Sequence, residues 1–384
     1  MQQADRCLFL SVSIIKTLMS SMKVAIVHYW LVNIRGGEKV IEALLEMFPQ
    51  ADIFTHVYDP KAVSSLVKDR LVITSRINRF PFAKKLYPLY MPLMPDALMD
   101  FNLQEYDLVI SSESGPAKGV IPNPNAFHLC YCHSPMRYLW DMYHDYLMGS
   151  NCLVRMFMKR LIPSLRLWDI ASANLVDRFI TNSNYVAKRI KRYYNRDSEV
   201  VYGPVNIEKY LNIARKPSDY YLFFGQITGY KRADIAIDAC IKSGRKLIVA
   251  GAGTNKFKKY KKSNLIILKG RVSDEEAAVL FSKARALLFP GIEDLGLVPI
   301  EANAAGCPVI AYRGGGAIDT VKEGITGLFF DKQTPESLIH VMDKFENCIE
   351  NFNDRSLFNT HVDIFSSQKF KERILRIINE KKRI

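Results

Sequence analysis

The sequence predicts an α/β protein in two domains, on three observations. Short apolar stretches of strand type alternate with stretches of helical spacing along most of the chain. That pattern lapses near residue 203 and resumes at Tyr220–Phe224. The 384 residues give room for two cores of ordinary size.

The first strand is Lys23–His28, and it leads through Gly36-Gly37-Glu38 into the helical spacing of Lys39–Met47. Strand, glycine pair and helix together let a backbone approach a phosphate closely, though a plain turn has the same signature. Further strands are expected at Ala51–Thr55, Leu71–Thr74 and Leu108–Ser111. The segment from Arg79 to Met99 mixes proline, aromatics, methionine and lysine. It suits contact with a lipid-bearing substrate, and equally a core helix broken by prolines. Phe127–Asp141 ends a strand at His133, where Pro135 bars a regular continuation. Ligands of α/β sheets bind beyond the carboxyl ends of strands, which favours a functional His133 over a core histidine. Arg178–Ser183 ends another strand before the helix Tyr185–Tyr194.

In the second half, Gly225 to Arg232 opens the helix Ala233–Ile241. Lys231 then stands at a helix N-terminus, a poor place for a cation unless an anion is bound there. Ser273 and Glu276 have the spacing of a capping box. The glycine triplet Gly314–Gly316 permits close backbone approach to a ligand. The most informative stretch is Phe289–Gly306, FPGIEDLGLVPIEANAAG. A strand, Ala286–Phe289, runs into an acidic loop, and Pro299 marks a helix start. Amides near Gly296 and Leu297 therefore face an anion site. Glu293 and Glu301 bracket it, and a carboxylate suits a pair of neighbouring sugar hydroxyls.

The spacing of Glu293 and Glu301, within EDLGLVPIEANAAGCPVIA, resembles the family-4 retaining glycosyltransferases of GT-B fold. The segment HSPMRYLWD from His133 resembles the WbaZ-like mannosyltransferase branch of that family. The resemblance covers about residues 22–384. It implies two Rossmann-like domains facing across a cleft, with a C-terminal helix crossing back. Expected boundaries are 22–202 for an acceptor domain, completed by 366–384, a linker at 203–218, and 219–365 for the nucleotide-sugar domain. By resemblance, Glu301 holds the ribose, Glu293 the hexose hydroxyls, and His133 faces the transferred sugar. Gly36, Gly37, Lys231, Arg232, Gly296 and Leu297 meet the diphosphate, and the backbone near Val272 borders the base. The family usually carries arginine where Gln226 stands, so one positive contact is missing. The expected donor is a nucleotide sugar, GDP-mannose favoured, with no separate cofactor. No Asp-x-Asp pair occurs in the sequence, so no metal is expected. The expected acceptor is lipid-linked or polysaccharide, in bacterial surface glycan assembly. A non-transferring nucleotide-sugar epimerase of the same architecture is the alternative.

Composition bounds the rest. With 48% hydrophobic and 24% charged residues the chain is globular, and no run approaches the roughly 20 apolar residues of a membrane span. Cys7–Ile15 is short and lacks a cleavage pattern, so residues 1–21 are expected to be a disordered extension or upstream start. Seven scattered cysteines fit neither a disulfide framework nor a zinc site, and reduced cytoplasmic thiols are the default. The net charge of +14 fits nucleic acid, an anionic membrane or solubility alone. The basic residues lack an aromatic stacking platform, and no DNA-reading motif is present. Peripheral attachment to the inner leaflet is therefore preferred to nucleic-acid binding.

Overall fold

Runs of β-branched and aromatic residues flanked by glycine, proline and asparagine set thirteen strands among the described residues of the computed structural model. These residues are 22–33 and 36–381, and the expected extension at 1–21 lies outside them. The strands form two sheets, both parallel throughout. The first contains β1 (Val24–His28), β2 (Asp52–Thr55), β3 (Val72–Thr74), β4 (Leu108–Glu113), β5 (Phe127–Cys132), β6 (Arg178–Thr181) and β7 (Ser198–Val200). Its order is β3-β2-β1-β4-β5-β6-β7. The second contains β8 (Tyr220–Phe224), β9 (Lys246–Ala250), β10 (Ile266–Gly270), β11 (Leu287–Phe289), β12 (Val309–Tyr312) and β13 (Gly327–Phe330). Its order is β10-β9-β8-β11-β12-β13. Each order reverses beside its first strand, and that switch point opens a crevice at the carboxyl ends.

Two compact units result. One runs through Asn182, resumes over Val186–Val201 and takes in the chain from Arg373. The other comprises Ser183–Tyr185 and Tyr202–Glu372. The closing helix, Ser367–Lys381, buries Phe370, Ile374, Ile377 and Ile378 at one-face spacing. In its later part, Arg376 pairs with Glu199 and Glu380 with Arg178, at 2.8 Å for the second pair.

β1 is fully buried, as a strand covered on both faces requires. Its partners β2 and β4 hold it in register from Ala25↔Asp52 and from Val24↔Leu108. One helix was not legible in the sequence. Cys152–Ser172 is 21 residues long despite Pro163 in its interior. Asn151 caps its first turn, accepting from Val154 N, which offsets part of the cost of that proline. The segment from Arg79 to Met99 forms short helical turns, not one broken helix. It buries Ala83, Met94 and Ala97 and exposes Phe82, Leu89, Leu93 and Met99.

Behind the end of β4 lies a buried ionic cluster. Lys118 Nζ sits 3.4 Å from Glu113 Oε1 and bonds Asp169, all three side chains being excluded from water. Trp140 Nε1 and Tyr194 OH donate to Asp169 at 2.8 and 3.0 Å. The cation also lies 4.8 Å from the Tyr194 ring centroid. A charge so enclosed is tolerable only with its partners present. Lys118→Met should therefore cost about 3–5 kcal/mol in urea denaturation, because two buried carboxylates lose their counter-ion. A loss below about 1 kcal/mol would show that the cluster contributes nothing net.

Candidate functional site

In the second unit the crevice lies where β8 and β11 pair only at Leu287↔Leu222. The chain leaving β8 turns through Gly225 and a short 3-10 turn, Gly229–Lys231, into the helix Ala233–Lys242. The chain leaving β11 passes Gly291 and the acidic loop and enters the helix Leu297–Ala304. That helix starts two residues before Pro299, because Gly296 adopts a φ of 83° that a side chain would resist. The two exits bring Lys231 Nζ to 2.9 Å from Glu293 Oε1, both side chains largely shielded. The cation at a helix start thus has its anion within the chain, where a bound ligand was expected to supply it.

Glu301 is sheltered, and no hydrogen bond to its carboxylate is present among the described residues. Burial pushes this carboxyl up to about 7, while Lys209 and Lys231 pull it down and Asp274 adds to the rise. Lys209 and Asp274 are themselves paired at 3.1 Å. Arg232 stands apart. Asp234 holds its guanidinium through Nε at 3.1 Å and a terminal nitrogen at 2.9 Å. Val272 is half-buried beside the helix Asp274–Lys283, which begins with the expected Ser273–Glu276 capping box. Gln226 is exposed. An added Cβ at Gly315 or Gly316 would meet the backbone of Glu293, Asp294 or Leu295, and one at Gly314 would meet the Tyr312 ring, so these glycines let the chain pack against the acidic loop and that ring.

In the first unit the switch point falls between β1 and β4, where His28 is in register with Ser112. Ser112 serves two histidines. Its carbonyl accepts from His28 Nδ1 at 2.9 Å, and its hydroxyl lies 2.9 Å from His133 Nε2. β5 stops at Cys132, so His133 sits just past the strand, half-buried. Burial, followed by His28, pulls His133 down to about 3, which keeps the ring neutral. The helix Gly36–Met47 begins with the glycine pair itself. A Cβ at Gly37 would lie 3.3 Å from Tyr29 OH and 3.6 Å from His133 Nε2. The backbone there passes close over the histidine because it carries no side chain. Buried Glu38 Oε1 lies 3.9 Å from His28 Nε2.

The structure therefore gathers Lys231, Glu293, Glu301 and the Gly296–Leu297 turn in one unit, and His133 with Gly36 and Gly37 in the other. Sequence reasoning missed His28, Ser112, Lys209 and Asp274. His28 had a usable signal, a histidine at a strand's carboxyl end just before the glycine pair. Lys209 had none, being distant in sequence from Glu301.

Two parallel sheets wound in this doubly wound order define the GT-B architecture. Residues 34–209 match the model described as Glycosyltransferase Family 4, and residues 207–356 the model described as Glycosyl transferases group 1. Together with the fold, these matches support a GT-B glycosyltransferase of family 4. An uncharacterized glycosyltransferase of Methanocaldococcus jannaschii is 33% identical over 198 residues, covering 50% of this chain and 54% of that protein. An alpha-1,3/1,6-mannosyltransferase of Dictyostelium discoideum is 25% identical, covering 59% of this chain and 64% of that one. The chain thus matches between about half and two thirds of these relatives' lengths. Among solved structures, Anabaena HepE in complex with UDP and glucose superposes with a TM-score of 0.66 at 16% identity. That match covers 93% of this chain and 99% of that one.

Native Glu301 keeps its proton to higher pH than the unfolded chain does, whose ordinary value is 4.5. Its ionisation therefore lowers stability progressively from about pH 4.5 to about 7. Glu301→Gln should match the parent protein in urea denaturation near pH 4.5 and exceed it by about 1–3 kcal/mol at pH 8. An equal difference at both pH values would mean that Glu301 is hydrated.

Proposed function

We propose that the protein is a retaining, metal-independent hexosyltransferase that moves mannose from GDP-mannose onto a lipid-linked or polysaccharide acceptor. The observation that carries this reading is the strand-end site of the second unit. There Lys231 lies 2.9 Å from Glu293, beside a sheltered Glu301 and the start of the helix Leu297–Ala304. A nucleoside diphosphate leaves with about two negative charges, and fixed donors placed where that charge develops lower the barrier. Lys231 and the Gly296 and Leu297 amides supply this stabilisation. Both cations carry a carboxylate partner, Glu293 on Lys231 and Asp234 on Arg232, and Lys231, the more enclosed of the two, is the principal cation. Glu301 accepts the two ribose hydroxyls and the Val272 backbone borders the base. Glu293 exchanges part of its contact with Lys231 for hexose hydroxyls.

In the first unit, a neutral His133 offers a hydrogen bond to the sugar without adding charge, and Gly36 and Gly37 expose helix-terminus amides. The leaving phosphate takes the acceptor's proton, and no enzyme nucleophile is needed for retention. No separate cofactor takes part. The mannosyltransferase relative favours mannose, while UDP and glucose in HepE make UDP-glucose the competing donor. Exposed Phe82, Leu89, Leu93 and Met99 support a lipid-bearing acceptor and a cytoplasmic, peripheral location in surface glycan assembly.

A thermal-shift screen of GDP-mannose, UDP-glucose and ADP-glucose tests the donor, since a ligand specific for the native state raises Tm. GDP-mannose should give the largest shift, and no shift with any of the three would overturn the reading. Lys231→Ala should lower transfer about ten- to a hundredfold, the worth of one charge-assisted contact. Glu301→Ala should chiefly weaken nucleoside diphosphate binding in calorimetry. An NMR time course of donor alone separates transfer from epimerisation, which would convert the sugar without any acceptor.

A further inference from the structure

Neighbouring residues of a strand point to opposite faces, so Ser111 and Ser112 of β4 reach different sides of the first sheet. Each meets a histidine. Ser111 Oγ lies 2.9 Å from His128 Nε2, and Ser112 Oγ lies 2.9 Å from His133 Nε2. His128 is the second residue of β5, and His133 stands just past its end. Both serines and His128 are fully buried, and His133 is half-buried.

The proton on each ring follows from its surroundings. His128 Nδ1 lies 2.9 Å from the Leu175 carbonyl, which can only accept, so Nδ1 carries a proton. Burial pulls this ring down to about 4 and keeps it neutral, so its Nε2 is a lone pair that accepts from Ser111. For His133 the serine decides. Ser112 Oγ makes no other hydrogen bond among the described residues and is shut off from water. Were His133 Nε2 the donor, the hydroxyl proton would be buried with no acceptor, which folded proteins avoid. The hydroxyl therefore donates to Nε2, and the proton of the neutral ring lies on Nδ1.

The other nitrogen separates the two rings. His128 spends its Nδ1–H on Leu175. His133 Nδ1 has no hydrogen-bond partner among the described residues and, unlike the sealed Nε2 of His28, reaches solvent. The Gly37 backbone and Ser112 close off the Nε2 side, so Nδ1 is the nitrogen this ring offers.

We propose that Ser112 is a positioning residue that fixes the His133 proton on Nδ1, so that the ring meets the transferred sugar as a hydrogen-bond donor and not as a base. The inference rests on the glycosyl-transfer reading for the identity of that ligand. Its partner on the sugar is then an oxygen lone pair, as of a hydroxyl. A nitrogen that already carries a proton cannot accept a second, which agrees with a leaving phosphate that takes the acceptor's proton.

Nitrogen NMR of the full chain with isotope-labelled histidine tests the assignment without any ligand, His133→Gln identifying the signal among the seven histidines. At neutral pH the parent protein should show a proton on Nδ1 and a bare, hydrogen-bonded Nε2. In Ser112→Ala the proton should be shared between the two nitrogens. Calorimetry reads the consequence. Of GDP-mannose, UDP-glucose and ADP-glucose, the one that raises Tm most should bind Ser112→Ala about three- to tenfold more weakly, the worth of one neutral hydrogen bond. Its nucleoside diphosphate, which lacks the sugar, should bind as before. In a His133→Ala background the same substitution should cost nothing further, because the serine acts only through the ring. A purely structural serine would weaken nucleotide sugar and nucleotide alike in either background, which would overturn the proposal. A parent His133 protonated on Nε2, or a proton position unchanged in Ser112→Ala, would overturn it too. A parent protein with the Nδ1 proton that binds none of the three nucleotide sugars would instead overturn the glycosyl-transfer reading while bearing out the serine's hold on the ring.

Discussion

Parallel pairing obliges every strand of a sheet to deliver its carboxyl end to the same edge. Most of the chemistry in this protein follows from that constraint. In the first sheet it brings His28, Ser112 and His133 together from β1, β4 and β5, neighbours in space though far apart in sequence. In the second it brings Lys231 from the exit of β8 to Glu293 at the exit of β11. Each group lies beside a switch in strand order, where no crossover helix covers the edge. The glycines there act by what they lack. Gly37 lets the chain pass over His133, and Gly296 takes the left-handed turn that starts the next helix.

Electrostatics divides these polar groups into two kinds. Lys118, Glu113 and Asp169 satisfy one another, with Trp140 and Tyr194 completing the oxygens of Asp169. That network has no bonding capacity to spare, which suits a structural brace behind β4. Glu301 is the opposite case, a sheltered carboxyl raised to about 7 with its bonding capacity unused. The fold satisfies one buried acid fully and leaves a half-buried one unbonded, a contrast that makes Glu301 a candidate for the site.

The two-domain α/β pattern was legible because β1, β5, β8 and β9 are apolar runs ended by glycine, histidine or small residues. The Glu293–Glu301 spacing was legible because both lie on one short loop–helix turn. Three things were hidden. The helix Cys152–Ser172 contains Pro163 and carries exposed Leu153, Met156, Phe157 and Leu167 beside its arginines, so its period is blurred. The partner of Lys231 is more than sixty residues away, and only the order of strands in the sheet reveals that they meet. The glycine triplet reads as a ligand-binding signature, and the sequence does not show that two of its glycines also face the chain's own acidic loop. Local sequence reports propensity and leaves open which side of a turn is occupied.

The same distinction applies to the charge. A net +14 by itself fits several partners, and solubility alone would explain it. Solubility does not explain Leu153, Met156 and Phe157 held out from the same helix, since exposed apolar groups work against it. Nor does folding, because the opposite side already packs on Met136 and Leu139. Basic groups without acidic neighbours and apolar groups without a core meet on one side of a long helix.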